Sequence, residues 1–127
     1  MVEAAITMLL LFVFIFAIFE AGRLIQVQQT LTDAARAGAR RSVAPLTRTD
    51  VLAAPANVRA VVQSFLEAAS VHVPINDIVV DQAVPIAGMT YTRVTVPYQY
   101  RVMTLLMFGS LNITLTGQSL MRNETSQ

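Results

Sequence analysis

The chain of 127 residues contains no cysteine, no lysine and no tryptophan, and its single histidine is His72. The absence of cysteine excludes disulfides, thiol catalysis, thiolate metal sites and lipid attachment through a thiol, and leaves the redox compartment undecided. His72 has no second histidine and no clustered carboxylates nearby, so an ordinary loop histidine is favoured over a metal ligand or an acid–base group. Phosphate loops, nucleophile elbows and paired acid–base residues are also absent, so we expect neither an enzyme nor a cofactor.

Charge is sparse as well. Charged residues make up 13% of the chain, and nine arginines against eight acidic residues give a net charge of +1. The arginines are neither dense nor interleaved with aromatic residues on a predicted sheet face, so we expect no nucleic-acid partner.

The most informative feature is an apolar run over residues 4–19, bracketed by Glu3 and Glu20. It lacks charge, proline and glycine, and large apolar residues fall on every side of a helical projection, so it needs burial all round. The acidic start before it is unlike a secretory signal. As a helix it would be about 24 Å long, a little short of the ~30 Å hydrocarbon core, so it can just span a membrane.

The helix is expected to continue beyond Glu20 as an amphipathic segment and to end near residues 42–44, because Pro45 follows. Glu20 and Arg23 stand three residues apart and are predicted to pair. We therefore predict one helix over residues 1–44 that forms the membrane or filament core. The residues expected to pack along it are Ile6, Leu10, Phe12, Phe16, Phe19, Gly22, Leu24 and Leu31.

The rest of the chain predicts an α+β head over residues 56–127 after a linker over 45–55. Pro55 can open a short helix that stops before Pro74. One apolar stripe is expected along it, formed by Val58, Val61, Val62, Phe65, Leu66 and Ala69. Strand patterns follow at about residues 77–84, 91–102 and 111–121, with an apolar connection over 103–110. Pro97 predicts an edge position or a bulge, since proline cannot donate to a ladder. The expected architecture is a three-stranded antiparallel meander packed on the short helix and on the C-terminal half of the long one.

Three segments of the long helix resemble a known family. They are VEAA at residues 2–5, FEAGR at 19–23 and LTDAARAGAR at 31–40. Together they look like a TadE-like pilin of the tight adherence pilus, a branch of the type IV pilins. The resemblance is strong over residues 2–41; later it is architectural, with an ending TLTGQSLMR at 114–122.

The resemblance implies a prepilin of the bacterial inner membrane that is trimmed by a prepilin peptidase, methylated, and pushed by an ATPase-driven machine into an extracellular adhesive filament. Its partners would be copies of itself or other pilins. Family members carry their glutamate at the fifth mature position, whereas Glu3 is third here. All the arginines lie C-terminal to the apolar run, against the positive-inside tendency. We therefore expect a basic leader upstream in the encoded precursor.

A role for Glu3 in assembly can be argued without the family resemblance. In a bundle core its carboxylate needs a cationic partner, and the α-amino group of Met1 in an adjacent subunit is the nearest candidate. The alternative is a carboxylate favoured by the helix dipole in the first turn. The other function class left open is a monomeric single-pass membrane protein that serves a secretion or pilus assembly machine. Asn112 and Asn123 fit the glycosylation acceptor pattern, and the second, in a polar tail, is expected to be more accessible.

Overall fold

The computed structural model describes residues 2–44, 52–102 and 111–123. Its elements are α1 (Val2–Val43), α2 (Pro55–Ala68), a short 3-10 helix (Ile75–Asp77), and the strands β1 (Val79–Ile86), β2 (Met89–Val102) and β3 (Leu111–Arg122). The predicted α+β class, with one long helix, one short helix and three antiparallel strands, is confirmed. The predictions for Met1, for residues 45–51 of the linker and for the connection over 103–110 concern residues outside the described ones.

Helix α1 runs for 42 residues without a break at Gly22, which makes it about 63 Å long by helical rise. It ends at the predicted place, and Arg40 and Arg41 in its last turn complement the negative end of the helix dipole. Its buried residues all lie in the C-terminal third, from Leu31 to Val43. That third supplies all the fully buried residues of α1, and Leu24 and Val27 before it pack partly buried against the same core.

Helix α2 begins with Pro55 in its first turn, where the missing N–H costs nothing. Its buried residues are Val58, Val62 and Leu66, one helical turn apart on a single face. Phe65, which the apolar pattern also assigned to this face, is 40% exposed. The buried stripe is therefore narrower than the sequence predicted.

The sheet has the order β1-β2-β3, and both pairings are antiparallel. Strands β1 and β2 meet in a two-residue turn in which Ala87 and Gly88 both have positive φ, as in the hairpin turn that matches strand twist. The predicted first strand was two residues too early, because Asp77 belongs to the short 3-10 helix and Pro85 pairs within the strand.

Strand β2 is central in the sheet, but its pairing with β1 ends at Thr95. At Pro97, β2 therefore has a neighbour only on the β3 side, where it faces Thr116, so the predicted edge position is confirmed locally. A proline is tolerated there because no donor is needed toward β1.

The C-terminal third of α1 is held between α2 and the sheet. A Cβ on Gly38 would clash with Val62 of α2 and lie 3.5 Å from Val94 of β2. Predicted packing of the meander on α1 is confirmed, whereas α2 packs chiefly on α1 and reaches the sheet mainly along β1. The core therefore depends on the long helix as its middle layer.

Candidate assembly surface

The N-terminal part of α1 stands clear of the head. Every residue from 2 to 19 is exposed, on all sides of the helix. Among the residues predicted to pack, Ile6, Leu10, Phe12, Phe16 and Phe19 are between 54% and 73% exposed. A contiguous apolar surface of this size marks an interaction with protein or lipid. We call residues 4–19 the apolar rod.

The remaining predicted packing residues behave differently. Leu31 is completely buried and Leu24 is half-buried against the core, so both pack within the chain itself. A Cβ on Gly22 would meet no described atom within 4 Å beyond its own helix and chain neighbours. Apolar packing of α1 on the chain's own core thus begins at Leu24, and the helix surface before Gly22 is open to partners.

Glu3 lies in the first turn of α1 and is exposed. Its backbone carbonyl accepts a hydrogen bond from the hydroxyl of Thr7 at 2.8 Å. The position is favourable for a carboxylate next to the positive helix end, which fits the dipole alternative within a single chain. Pairing of Glu3 with the amine of an adjacent Met1 stays a prediction.

Glu20 directly follows the apolar rod and is hydrogen-bonded to the head. The hydroxyl of Tyr100 on β2 donates a hydrogen bond to Glu20 Oε1 at 2.8 Å, and Tyr100 is only 4% exposed. Burial raises the pKa of the Tyr100 phenol above 10.0, and the hydrogen bond to the Glu20 carboxylate raises it further. The predicted pair of Glu20 with Arg23 stays a prediction.

The hydrogen bond between Tyr100 and Glu20 was not predicted from the sequence. The alternation along β2 could have indicated it, because it puts Tyr100 on the buried face and a buried tyrosine needs a partner for its hydroxyl.

A second polar cluster ties the opposite end of the head to α1. Thr92 Oγ1 donates to Asn123 Oδ1 at 2.6 Å, and Asn123 Nδ2 donates to the carbonyl of Gln82 at 2.9 Å. Gln82 Nε2 in turn donates to Ser42 Oγ at 2.8 Å and to the carbonyl of Ala53 at 2.7 Å. We call these residues the distal polar cluster; they join α1, β1, β2 and the end of β3.

The distal polar cluster corrects one prediction. Asn123 was expected to be the more accessible glycosylation acceptor, but it is 3% exposed and its amide is engaged on both sides, whereas Asn112 is exposed. A side chain buried in this way cannot be reached by a glycosylating enzyme while the head is folded.

Among the described residues, no three His, Asp or Glu side chains come together in a way that could hold a metal ion. His72 is exposed and follows α2 in a short connection. The described part of the chain thus offers one large uncovered feature, the apolar rod, with polar ties at each end of the head.

Comparison with known proteins agrees with this picture. Residues 1–40 match the family model of the TadE-like protein, which confirms the resemblance over that segment. No curated protein and no solved structure matches the chain. By length and composition, α1 is able to cross a membrane, and its most apolar window has no buried residue. The similarity to TadE-like proteins thus covers the first forty residues of the chain.

Proposed function

We propose that this chain is a pilin: a structural subunit of an extracellular, adhesive filament of the tight adherence type, assembled from the inner membrane by packing apolar rods together. The observation that carries the proposal is the exposure of residues 2–19 on every side of α1, beside a head that packs only on the C-terminal part of the same helix. The match of residues 1–40 to the TadE-like protein supports the same assignment.

The apolar rod can be satisfied by lipid before assembly and by other rods afterwards. Lipid tails are as apolar as leucine, so moving the rod from the bilayer into a fibre brings little hydrophobic gain. Close packing and polar pairs must therefore select the partner. Gly22 is exposed on α1 and has no side chain to hold a neighbouring backbone away, which allows close approach where the rod joins the head.

Glu3 provides the polar pair in this proposal. Inside a bundle of rods its carboxylate would be removed from water, and an unpaired buried charge is costly. An amine contributed by the next subunit would offset that cost and fix the axial position of one rod against another. The pair would form only in the fibre, which agrees with the exposure of Glu3 in the single chain.

The test compares Glu3→Ala with the matched control Glu67→Ala in the native host. Glu67 is an exposed acidic residue of α2, far along the chain from the rod. Fibres sheared from the cells are examined by electron microscopy, and the chain is quantified in the sheared and inner-membrane fractions. We expect Glu3→Ala to lower fibre yield at least about tenfold at unchanged membrane level, because removing one partner of a buried ion pair costs about 3–5 kcal/mol.

Glu67→Ala is expected to assemble like the unaltered chain. Recovery of the unaltered chain only with the inner membrane, and never in regular fibres, would contradict the pilin proposal and favour a single-pass component of the assembly machine. Full fibre yield from Glu3→Ala would leave the filament role standing and remove the proposed role of the carboxylate.

A further inference from the structure

The strands of the head have a fixed direction along α1. At the distal end, Ser42 Oγ of α1 donates to Thr92 Oγ1 of β2 at 3.4 Å. At the other end, Tyr100 of β2 reaches Glu20 of α1. Strand β2 therefore runs antiparallel to α1 and β3 runs parallel to it, so the β2 C-terminus and the β3 N-terminus both point toward the apolar rod.

These contacts also set how far the sheet extends. Gly117 of β3 lies against the backbone of Leu31. Leu111 precedes Gly117 by six residues, which is about 20 Å of strand at ~3.3 Å per residue. A helix covers about 20 Å in roughly 13 residues, so Leu111 lies level with about Ile18, or nearer Glu20 if the strand is inclined to the helix. The start of β3 and its partner Val102 on β2 thus lie level with the last turn of the apolar rod.

This level is where the membrane surface is expected. The apolar rod is about 24 Å long against ~30 Å for a typical hydrocarbon core, so a bilayer that it spans must thin, or draw Glu20 to its boundary. The hydrogen bond from Tyr100 satisfies part of the Glu20 carboxylate at that boundary. Tyrosine is itself enriched at membrane–water interfaces.

The side chains at this end of the sheet suit a headgroup layer. Leu111 is 48% exposed and pairs with Val102, so both lie on the face that looks toward α1. Arg101 is exposed on the opposite face, opposite Asn112. A half-exposed leucine close to the apolar rod, beside an arginine that can extend to phosphate, is the arrangement expected of an interfacial contact.

We propose that the end of the sheet formed by Arg101, Val102 and Leu111 sits in the phospholipid headgroup layer of the bilayer that α1 crosses before assembly. The proposal rests on the membrane-spanning part of the proposed function and not on the filament role. It makes the head a second, shallow membrane contact that fixes the depth and rotation of the rod.

The absence of tryptophan makes the contact measurable with single introduced tryptophans. Leu111→Trp is compared with Leu120→Trp, which is 44% exposed on the same strand and about 30 Å farther from the rod by strand rise. Each full-length variant is placed in vesicles of phosphatidylcholine and phosphatidylglycerol in equal parts, with or without lipid brominated high on the acyl chain. The tryptophan of Leu111→Trp is expected to lose about half of its emission to the bromines, since interfacial apolar groups enter about 5–10 Å into the boundary between headgroups and acyl chains.

Leu120→Trp is expected to keep its emission. Equal emission with and without bromine at both positions would overturn the proposal, because the head would then stand clear of the lipid. Equal quenching at both would also overturn it, because the head would then lie flat on the surface. An environment-sensitive dye on Asn112→Cys, compared with Gln118→Cys, repeats the measurement at two exposed polar positions should either tryptophan disturb the fold. Failure here leaves the shearing experiment unaffected, so the two proposals fail independently.

Discussion

The α-carbon of Gly117 on β3 faces the backbone of Leu31 on α1 so closely that a Cβ on Gly117 would clash with the Leu31 carbonyl group. Nearby, Gln28 Nε2 donates a hydrogen bond to the carbonyl of Thr116 at 3.0 Å. The helix and the strand therefore touch backbone to backbone, and this contact sets the position of the head along α1.

Gly117→Ala should destabilise the head by about 3 kcal/mol, at the upper end of the usual cost of overpacking, because the opposing atoms are backbone and cannot move aside like a side chain. The free energy of unfolding is measured by urea denaturation in mild detergent, followed by tyrosine fluorescence. Gly22→Ala is the matched control. Its Cβ meets open space, and alanine favours an exposed helix over glycine by about 1 kcal/mol, so this variant should be no less stable than the unaltered chain.

Tyr100→Phe should cost about 1–2 kcal/mol, since it removes a hydrogen bond to a charged group from a buried position. Tyr98→Phe is the control on the same face of β2, because Tyr98 is only half-buried. A loss of stability in Tyr98→Phe as large as that in Tyr100→Phe would show that the Glu20 contact contributes nothing specific.

Alkaline pH tests the same contact. The pKa of Tyr100 is raised above 10.0 in the folded head, mainly by burial and next by Glu20, so the folded state holds its proton longer than the unfolded state. The corresponding stabilisation is fully present below pH 10.0 and is lost as the pH rises through the folded pKa. Denaturation at a series of pH values should show a steeper alkaline loss for the unaltered chain than for Tyr100→Phe; parallel curves would contradict the assignment.

Asn123→Ala should destabilise the head by about 2–3 kcal/mol, because it leaves the buried Thr92 hydroxyl and the Gln82 carbonyl without their present partner. Asn112→Ala, at an exposed position of β3, should stay within about 0.5 kcal/mol of the unaltered chain. Thermal unfolding followed by circular dichroism measures both. Equal stability of the two variants would mean that the distal polar cluster does not hold the end of β3.

Leu10→Arg tests the membrane insertion of the apolar rod independently of the stability of the head. Leu10 is 58% exposed, so Leu10→Arg should leave the stability of the head unchanged. Membrane insertion should suffer, since an arginine near the centre of a spanning helix costs about 2.5–3.5 kcal/mol. The measurement is the partition of the chain between membrane and soluble fractions of lysed cells, with Arg40→Leu, far from the rod on the same helix, as the reverse control.

The helices and strands could be predicted from local sequence pattern, whereas the side-chain hydrogen bonds between them could not. The uninterrupted apolar run and the period of Leu24, Val27 and Leu31 specified α1, and alternation specified β2 and β3. Tyr100 and Glu20 lie 80 residues apart, and Thr92 and Asn123 lie 31 apart, so no local spacing connects them. Tyr100 meets Glu20 because β2 runs antiparallel to α1, and Thr92 meets Asn123 because β2 pairs with β3 in a fixed register. Both are consequences of packing that only the assembled core specifies.

The polar tail misled the assignment of Asn123 for a related reason. Its neighbours in sequence are polar, but its backbone N–H still donates to the carbonyl of Thr90 at 3.0 Å, one residue beyond the last pair of β3. Its side chain is thereby carried into the core beside Thr92. The polar type of Asn123 predicted an exposed side chain, but the register of β3 on β2 places that side chain in the core.

The central claim is that copies of the apolar rod cover one another in a fibre. Because the chain has no cysteine, it can be tested with Leu10→Cys and the exposed head variant Glu67→Cys in fibres sheared from cells, labelled with a water-soluble maleimide before and after dissolution in detergent and denaturant. The account predicts that Cys at position 67 reacts in the intact fibre and that Cys at position 10 reacts only after dissolution. Rapid labelling of position 10 in intact fibres that contain the chain, or fibres that lack the chain altogether, would contradict it.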